Sequence, residues 1–296
     1  TLTVNTAPVI TQQPVNAVNC NTATSTTTNF GNALNFDGVN DYVITPNLLS
    51  KIPNASTPLT VEMWINPTQA GTVFTDLGTT TINSGHHDSW IEVNASGQVL
   101  VRVWGVAATN IGTISFNTWN HIVLRYNGSK VDGFINGVLS TNSTNGTRTF
   151  GAPGYFGIGP LDGTNMGTSA FFKGSIDEVR IWNIARSDND IVLNYKSELV
   201  GNESGLVAYY NFNKSGVTPS GTNNSLTNAT RLDDLTANAY HATISNFALT
   251  GSSSNWVTST STVKTTAARF TTIASTASSH QWQVSTDNGT TWTNIT

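Results

Sequence analysis

Apolar and polar side chains alternate along many short segments of the chain, and this period of two predicts β-strands. Segment 59–66, Leu-Thr-Val-Glu-Met-Trp-Ile-Asn, is the clearest case, with an apolar residue at every odd position. Successive side chains of a strand point to opposite faces, so the pattern predicts a strand that is buried on one side. The other strands predicted in this way lie at 33–36, 41–44, 99–104, 119–126, 130–135, 155–158, 175–182 and 206–212.

Turns rich in glycine and asparagine separate these segments. Asn127-Gly128 and Asn136-Gly137 predict two tight hairpins. The sequence Asp-Gly-Val-Asn at 37–40 predicts a third hairpin, between 33–36 and 41–44, in which Gly38 takes a positive φ.

One helix is predicted, from Ser187 to about Glu198. Ser187 can cap its first turn, and Ile191, Val192 and Tyr195 form one apolar face. Everywhere else, turn signals recur about every 8–12 residues over roughly 215 residues, which is typical of a two-sheet β-sandwich. The length favours a large jelly roll over an immunoglobulin sandwich.

Composition narrows the class of protein. Charged residues make up 10% of the chain, against about 25% in an ordinary soluble domain. The net charge of −4 and the scatter of only 13 Lys and Arg residues argue against nucleic acid as a partner. No apolar run approaches the ~20 residues of a membrane-spanning helix, so no membrane span is predicted.

Five motifs follow one another along the middle of the chain, and the stretch 234–243 continues the series. They are ALNFDGVNDYV at 33–43, LTVEMWI at 59–65, WNHIV at 119–123, GSIDEVRIWN at 174–183 and GLVAYYNF at 205–212. Together they resemble a laminin-G-like domain of the concanavalin A-like jelly-roll superfamily. The resemblance implies an all-β, two-sheet jelly-roll sandwich over 29–250. Because that fold hosts lectins, glycosidases, adhesion modules and spacers, it does not by itself imply one function.

The two ends of the chain resemble immunoglobulin-like repeats of large Bacteroidota surface adhesins, such as those of flavobacterial gliding motility. The resemblance implies the last strand of one repeat at 1–7, the first strand of the next at 8–28 and an incomplete continuation at 256–296. An Asp-Asn-Gly turn at 287–289 predicts a hairpin in the last segment. Such a sandwich needs about 100 residues, so we expect the jelly roll to be inserted into the repeat. Cys20, the one cysteine, then pairs outside this sequence or is a lone buried thiol.

Acidic residues do not form the pattern of a glycosidase. Such enzymes need two carboxylates about 5–9 Å apart, which on a strand requires acidic residues two or four positions apart. No glutamate begins such a pattern, and the side chains of Asp177 and Glu178 point to opposite faces. We therefore expect no enzyme activity, and a glycosidase-related domain is the least favoured hypothesis.

The laminin-G-like resemblance also implies a structural Ca²⁺ site. Related jelly rolls often use an aspartate near the final strand of a sheet as a calcium ligand, and Asp177 matches that position. Asp37 and Asp234 are predicted to join it, because Ca²⁺ takes roughly six to eight oxygen ligands. The alternative is that Asp37 and Asp234 only stabilise their own turns.

A loop before one predicted strand carries the candidate ligand-binding residues. His86, His87 and Asp88 offer donors and acceptors near the rings of Trp90 and Trp104, the combination that a sugar needs. The two histidines could instead bind a transition metal or be solvated, and core packing is the alternative for both tryptophans. Core packing is favoured for three further tryptophans within alternating strands, Trp64, Trp119 and Trp182.

These observations favour an extracellular adhesin segment. Its jelly roll is expected to bind glycans or surface polysaccharide, and neighbouring repeats of the same chain to display it for gliding or attachment. The alternative is a structural spacer without a ligand. Because the sequence starts at Thr1 without Met or a leader, we expect a mature or internal piece of a longer secreted or cell-surface protein.

Overall fold

A computed structural model gives the fold of the protein. The residues that it describes are 30–53, 57–149 and 154–261, together with the backbone of 283–284 and 293–294. The chain divides into two units, and the larger, Thr26–Thr265, holds two antiparallel sheets. Within the described ranges, no helix is long and apolar enough to cross a membrane. The predicted all-β, two-sheet jelly roll is confirmed.

Seventeen strands and one short helix make up the described part of the larger unit. In chain order they are β1 Asn32–Asp37, β2 Tyr42–Ile44, β3 Leu59–Pro67, β4 Gly71–Leu77, β5 His87–Val93, β6 Gln98–Val101, β7 Thr109–Thr113, β8 Asn120–Tyr126, β9 Lys130–Ile135, β10 Val138–Leu139, β11 Thr144–Asn145, β12 Tyr155–Ile158, β13 Lys173–Trp182, α1 Asp188–Asn194, β14 Leu206–Tyr210, β15 Arg231–Leu232, β16 Ala242–Ser245 and β17 Asn255–Thr258.

The strands form two sheets that enclose one core. The first sheet has the order β10-β9-β8-β3-β13-β1-β17, with β11 also on β9 and β14 on β13. The second has the order β15-β16-β2-β12-β4-β5-β6-β7. A continuous cluster of buried apolar residues joins them, including Val61 and Ile176 of the first sheet and Phe74 and Ile91 of the second. Burial of this apolar surface from both sheets is the main term that stabilises the sandwich.

Two of the three hairpins predicted within the jelly roll are confirmed. The turns at 127–128 and 136–137 join β8 to β9 and β9 to β10. The third prediction is wrong in part, because the turn at 37–40 exists, with Gly38 at φ +77°, but β1 and β2 belong to different sheets. The buried carboxylate of Asp41 accepts a hydrogen bond from Asp37 N at 2.9 Å and so fixes the crossing from one sheet to the other.

Strand β3 is buried on both faces, which corrects the prediction that one side is exposed. Its odd-numbered apolar residues enter the core, as predicted. The segment after β13 covers its other face: Trp64 Nε1 donates to Tyr195 O at 2.8 Å, and Thr60 Oγ1 donates to Ile184 O at 2.8 Å. A period of two predicts which side chains share a face of the strand. It does not predict that a later segment of the chain covers the second face.

Helix α1 lies within this covering segment and is shorter than predicted. Ser187 caps it as predicted, since Ser187 Oγ accepts from Asp190 N at 3.1 Å. Ile191 is buried against Val123 and Phe134 of the first sheet. Val192, predicted to share the apolar face, is instead 47% exposed.

The jelly roll extends further along the chain than the predicted boundary at 250. Strand β17 pairs with β1, with Asn32 opposite Thr258, and therefore belongs to the first sheet. In the other unit the described strands are β18 Gln283–Val284 and β19 Thr293–Asn294, which pair antiparallel as the two arms of the predicted hairpin would. The predicted turn at 287–289 lies outside the described residues. The segments predicted at 1–7 and 8–28, with Cys20, lie outside the described residues, as does the rest of 262–296.

Candidate functional site

A cleft with a volume of about 360 Å³ opens beside β5 and β6 of the second sheet. It is formed by the start of β5, the segment that follows β6, and one residue of a more distant loop. Its lining residues are Asp88, Arg102, Trp104, Gly105, Val106, Ala107 and Thr149. Two of them, Asp88 and Trp104, are among the ligand-binding residues predicted from the sequence, and the structure brings them together.

A tight turn presents Trp104 to the cleft. Gly105 has φ +85°, and a Cβ at this position would lie 2.5 Å from Thr149 Oγ1. Glycine therefore permits both the left-handed backbone and the close approach of Thr149. Trp104 is 36% exposed, and the His86 ring meets it edge-on, with the ring centroids 5.5 Å apart. The cleft thus has an exposed indole ring with a perpendicular imidazole ring beside it.

Asp88 and Arg102 form a fixed charged pair at the floor of the cleft. Arg102 donates from Nη2 to Asp88 Oδ1 and to Thr164 O, and from Nε to Ser89 O. Asp88 is fully buried, and its Oδ2 has no hydrogen-bond partner among the described residues. The pair therefore presents one oriented cation to the cleft, and the unpaired Asp88 Oδ2 lies buried behind it.

Two further carboxylates stand near Asp88. Asp76 of β4 lies directly opposite Asp88 in the strand pairing, and Asp162 lies on the loop after β12. His86 Nε2 is 3.4 Å from Asp76 Oδ2, and His87 Nδ1 is 2.9 Å from Asp162 Oδ1. Within the described ranges, each of the three carboxylates keeps one buried oxygen without a partner. We call Asp76, Asp88 and Asp162 the Asp88 cluster.

The Asp88 cluster holds protons more tightly than isolated aspartates do. Burial raises the pKa of Asp88 to about 8; Arg102 lowers it in part, while Asp76 and Asp162 raise it further. Burial also raises the pKa values of Asp76 and Asp162, against the opposing effects of His86 and His87. Because three buried carboxylates lie close together, we expect the cluster to bind at least one proton.

Trp90, the fifth predicted ligand-binding residue, does not reach the cleft. It is fully buried, and its ring packs against Phe156 with centroids 5.3 Å apart and against Phe74 at 6.4 Å. The guanidinium of Arg148 lies 5.9 Å from its ring centroid. Core packing, the alternative role, is therefore correct for Trp90.

Sequence reasoning missed three residues of the site, Arg102, Asp76 and Asp162. Arg102 lies two residues before Trp104, so its position on the same side of an extended segment was a usable signal. Asp76 and Asp162 reach the site through the pairing of β4 with β5 and through a long loop, and nothing in the local sequence indicates either contact.

The three aspartates predicted as calcium ligands do not come together. Asp37 Oδ1 accepts a hydrogen bond from Val39 N at 2.7 Å within its own turn. Asp234 accepts from Tyr209 N at 2.9 Å and from Tyr240 N at 2.8 Å. Both therefore organise backbone, which was the alternative role.

Asp177 is fully buried, apart from the other two. Burial, and then the adjacent Glu178, raise the pKa of Asp177 well above its ordinary value, which favours a protonated carboxyl. In the part of the chain that the structure describes, no group of three His, Cys, Asp or Glu residues could hold a metal ion. The residues do not fit a shared Ca²⁺ site, and calcium binding stays a prediction.

A second group of buried charges lies beneath α1, on the outer face of the first sheet. Glu62 Oε1 accepts from Arg186 Nη1 and from Trp182 Nε1, both at 2.7 Å. His121 Nε2 is 3.3 Å and Arg180 Nη1 is 4.0 Å from Glu62 Oε2. Burial alone would raise the pKa of Glu62, but His121, Arg180 and Arg186 outweigh it and lower the pKa to about 2. We call Glu62, His121, Arg180 and Arg186 the Glu62 network.

The Glu62 network fastens the covering segment to the sheet. Arg180 donates to Asn194 O at 3.2 Å and to Ser197 O, and it also pairs with Glu178 at 2.6 Å. Glu178 in turn accepts from Tyr209 Oη at 2.9 Å. The network lies away from the cleft, and its bonds hold the covering segment on the first sheet.

Comparison with known proteins supports the fold. A family model described as the concanavalin A-like lectin/glucanases superfamily, Laminin_G_3, matches residues 37–192. Among curated proteins, none matches the sequence.

Comparison with solved structures gives several matches at low sequence identity. A putative carbohydrate binding protein from Bacteroides ovatus aligns with a TM-score of 0.53 at 19% identity, covering 80% of this chain and 62% of that one, so this chain spans less than two thirds of its length. Domain 4 of the arabinanase AbnA from Geobacillus stearothermophilus, in complex with arabinotriose, aligns with a TM-score of 0.37 at 22% identity, over 50% of this chain and 68% of that one. The sialidase module CBM40 of Ruminococcus gnavus, bound to α2,3 sialyllactose, aligns with a TM-score of 0.40 at 15% identity, over 56% and 98%.

Proposed function

The chain belongs to the concanavalin A-like lectin/glucanases superfamily, and we propose that its jelly roll is a glycan-binding module whose ligand occupies the cleft beside Trp104. One observation carries the proposal: an exposed indole ring stands next to the oriented pair of Asp88 and Arg102. The apolar face of a sugar ring can pack on the indole, while its hydroxyls accept hydrogen bonds from Arg102, which Asp88 holds in place.

The size and the composition of the cleft support this proposal. Its volume of about 360 Å³ lies within the roughly 300–1,000 Å³ of ordinary small-molecule sites. A few polar groups between aromatic and aliphatic walls are typical of such sites, and Val106 and Ala107 supply the aliphatic part. The Bacteroides ovatus protein of similar fold, described as a putative carbohydrate binding protein, is a further reason to test glycans first.

Binding to a polysaccharide panel tests the proposal. Arabinan, xylan, galactan and pectin are immobilised, and retention of the full chain is compared with that of Trp104→Ala. We expect Trp104→Ala to weaken binding by on the order of tenfold, about 1.4 kcal/mol, since it removes the ring and little else. Trp119→Ala is the matched control, because Trp119 is half-buried and bonds Thr260 outside the cleft. Equal loss in both variants, or no retention of the wild type on any polymer, would contradict the proposal.

We further propose that the module serves a cell-surface or secreted adhesin, in attachment or gliding. The two ends of the jelly roll support this, because they leave the first sheet side by side: β1 pairs with β17, and Ser259 N donates to Gly31 O at 2.8 Å. Adjacent ends suit a module inserted into a repeat that displays it. Beads coated with the full chain should adhere to the polysaccharide selected above and detach when it is added in solution. A structural spacer would adhere to none of the polymers.

A further inference from the structure

Asp88 of the cleft floor lies beside the carboxylate of Asp76 on the neighbouring strand, and each of the two keeps one oxygen without a partner. Asp76 and Asp88 are directly opposite in the antiparallel pairing of β4 and β5, where Cβ atoms lie about 4.5–5.5 Å apart. Both side chains are at least 99% buried. Asp76 Oδ2 is engaged by His86 and Asp88 Oδ1 by Arg102, which leaves Asp76 Oδ1 and Asp88 Oδ2 without partners among the described residues.

An ionised pair in this position would be costly. Two buried carboxylates at such a distance repel each other strongly, and each unpaired oxygen keeps an uncompensated desolvation penalty. A single proton removes both costs, because it neutralises one carboxyl and supplies the missing donor to the other. One proton therefore lowers both the repulsion between the two carboxylates and the cost of their unpaired oxygens.

We propose that Asp76 and Asp88 hold one proton between them at the floor of the cleft, and that release of this proton to solvent weakens glycan binding. The second clause rests on the proposed function, because Asp88 and its partner Arg102 line the cleft. When the proton leaves, repulsion from Asp76 pushes the Asp88 carboxylate, and Arg102 with it, out of the arrangement that receives the sugar.

Some charged groups around Asp76 and Asp88 favour their ionised forms, and others oppose them. His86 and Arg102 bond the pair directly, and Arg148 places a positive charge near Asp76. Asp162 adds a third negative charge, and His87 partly balances it. The raised pKa of Asp88, about 8, agrees with this sum and places the release of the proton in the mildly alkaline range.

The experiment separates the proton from the glycan. In the full chain labelled with ¹³C at aspartate Cγ, carboxyl resonances are titrated from pH 4 to 10 without any ligand. We expect one resonance of the pair to titrate with a midpoint near the Asp88 pKa of about 8, and Asp76→Asn to move that midpoint down, since the amide removes the facing charge and supplies a permanent donor. Asp233→Asn, a partly exposed surface variant, should leave it unchanged. Ordinary acidic midpoints for both residues would overturn the shared proton.

Binding is then measured from pH 6 to 9 on whichever of arabinan, xylan, galactan or pectin retains the chain best. Affinity should fall on the order of tenfold across the midpoint, and this fall should be absent in Asp76→Asn. A flat pH profile with an intact high midpoint would overturn the coupling alone. No binding to any polymer would overturn the proposed function and the coupling, while the titration still decides the shared proton. If Asp76→Asn does not fold, the wild-type titration and pH profile decide both points.

Discussion

The Glu62 network and the Asp88 cluster are both buried in the jelly roll, but their carboxylates respond to burial in opposite ways. Glu62 lies among Arg180, Arg186 and His121, and its pKa falls to about 2. Asp88 has one arginine, Arg102, and faces other carboxylates, so its pKa rises to about 8. Desolvation penalises the charged form at both places, and the sign of the neighbouring charges decides the outcome.

This difference separates a structural charge group from a candidate binding site. In the Glu62 network the charges oppose one another and hold the segment that carries α1 on the sheet. In the Asp88 cluster three buried oxygens without partners lie at or behind a cleft that opens beside an exposed tryptophan. The Glu62 network also has buried atoms without a hydrogen-bond partner, among them Glu62 Oε2 and Arg180 Nε, but it lies under the segment that carries α1. Of the two groups, only the Asp88 cluster adjoins the cleft, where a ligand can bind.

The largest expected effect follows from removing the charge of Glu62. Glu62→Gln leaves Arg186 buried without a carboxylate partner, while Arg180 keeps only Glu178. The free energy of unfolding should therefore fall by about 3–5 kcal/mol. Urea unfolding followed by tryptophan fluorescence measures it. Asp233→Asn is the control: this carboxylate pairs with Lys214 and Arg231 at the surface, where such pairs contribute about 0–1 kcal/mol. If Glu62→Gln is as stable as the control variant, the Glu62 network does not stabilise the fold.

The sequence analysis did not predict the Glu62 network, although three of its four residues lie in the motifs that indicated the fold. Glu62, His121 and Arg180 occur in the motifs that indicated the fold, and each lies on the face of its strand that alternation marks as polar. That face is covered because the segment after β13 folds back over it. A pattern of period two predicts the direction of a side chain but not what later packs on it.

Sequence analysis also predicted only part of the Asp88 cluster and the cleft. His86, His87 and Asp88 were predictable because they are neighbours on one loop and the start of β5. Trp104 lies on the turn after β6, and its ring contact with His86 shows that it is close to them. Asp76 and Asp162 were not predictable, since the register of β4 and β5 and the path of the loop after β12 bring them in. Residues that meet through register rather than through neighbouring positions leave no local signal.

Asp88 and Glu62 should also make the free energy of unfolding depend on pH in opposite directions. Folding raises the pKa of Asp88 from its ordinary 3.8 to about 8, so the folded state binds the proton more tightly and stability falls as pH rises through that window. Folding lowers the pKa of Glu62, so its contribution is present above 4.5 and is lost as pH falls toward 2. Asp88→Asn should therefore flatten the decline of Tm between pH 5 and 8.5, by about 2–4 °C for each kcal/mol removed.

Thermal unfolding of the wild type and of Asp88→Asn across that range measures this difference. Below pH 4 the two proteins should show the same loss of stability, because Glu62 is unchanged in both. Parallel curves between pH 5 and 8.5 would mean that Asp88 ionises normally, and the contrast between the two charge groups would then be lost.

The smallest expected effect concerns the shape of the cleft rather than its charge. Gly105→Ala places a Cβ at φ +85° and 2.5 Å from Thr149 Oγ1, whereas Gly251→Ala meets a similar φ of +72° with nothing within 4 Å. Both variants should lose about 1–2 kcal/mol through the left-handed backbone, measured by urea unfolding. Only Gly105→Ala should also displace the turn that carries Trp104, and so weaken retention on the polysaccharide panel. If the two variants lose stability equally and bind equally well, the close approach of Thr149 to this turn does not shape the cleft. Glycan binding would then depend on the Asp88–Arg102 pair and not on the shape of the turn.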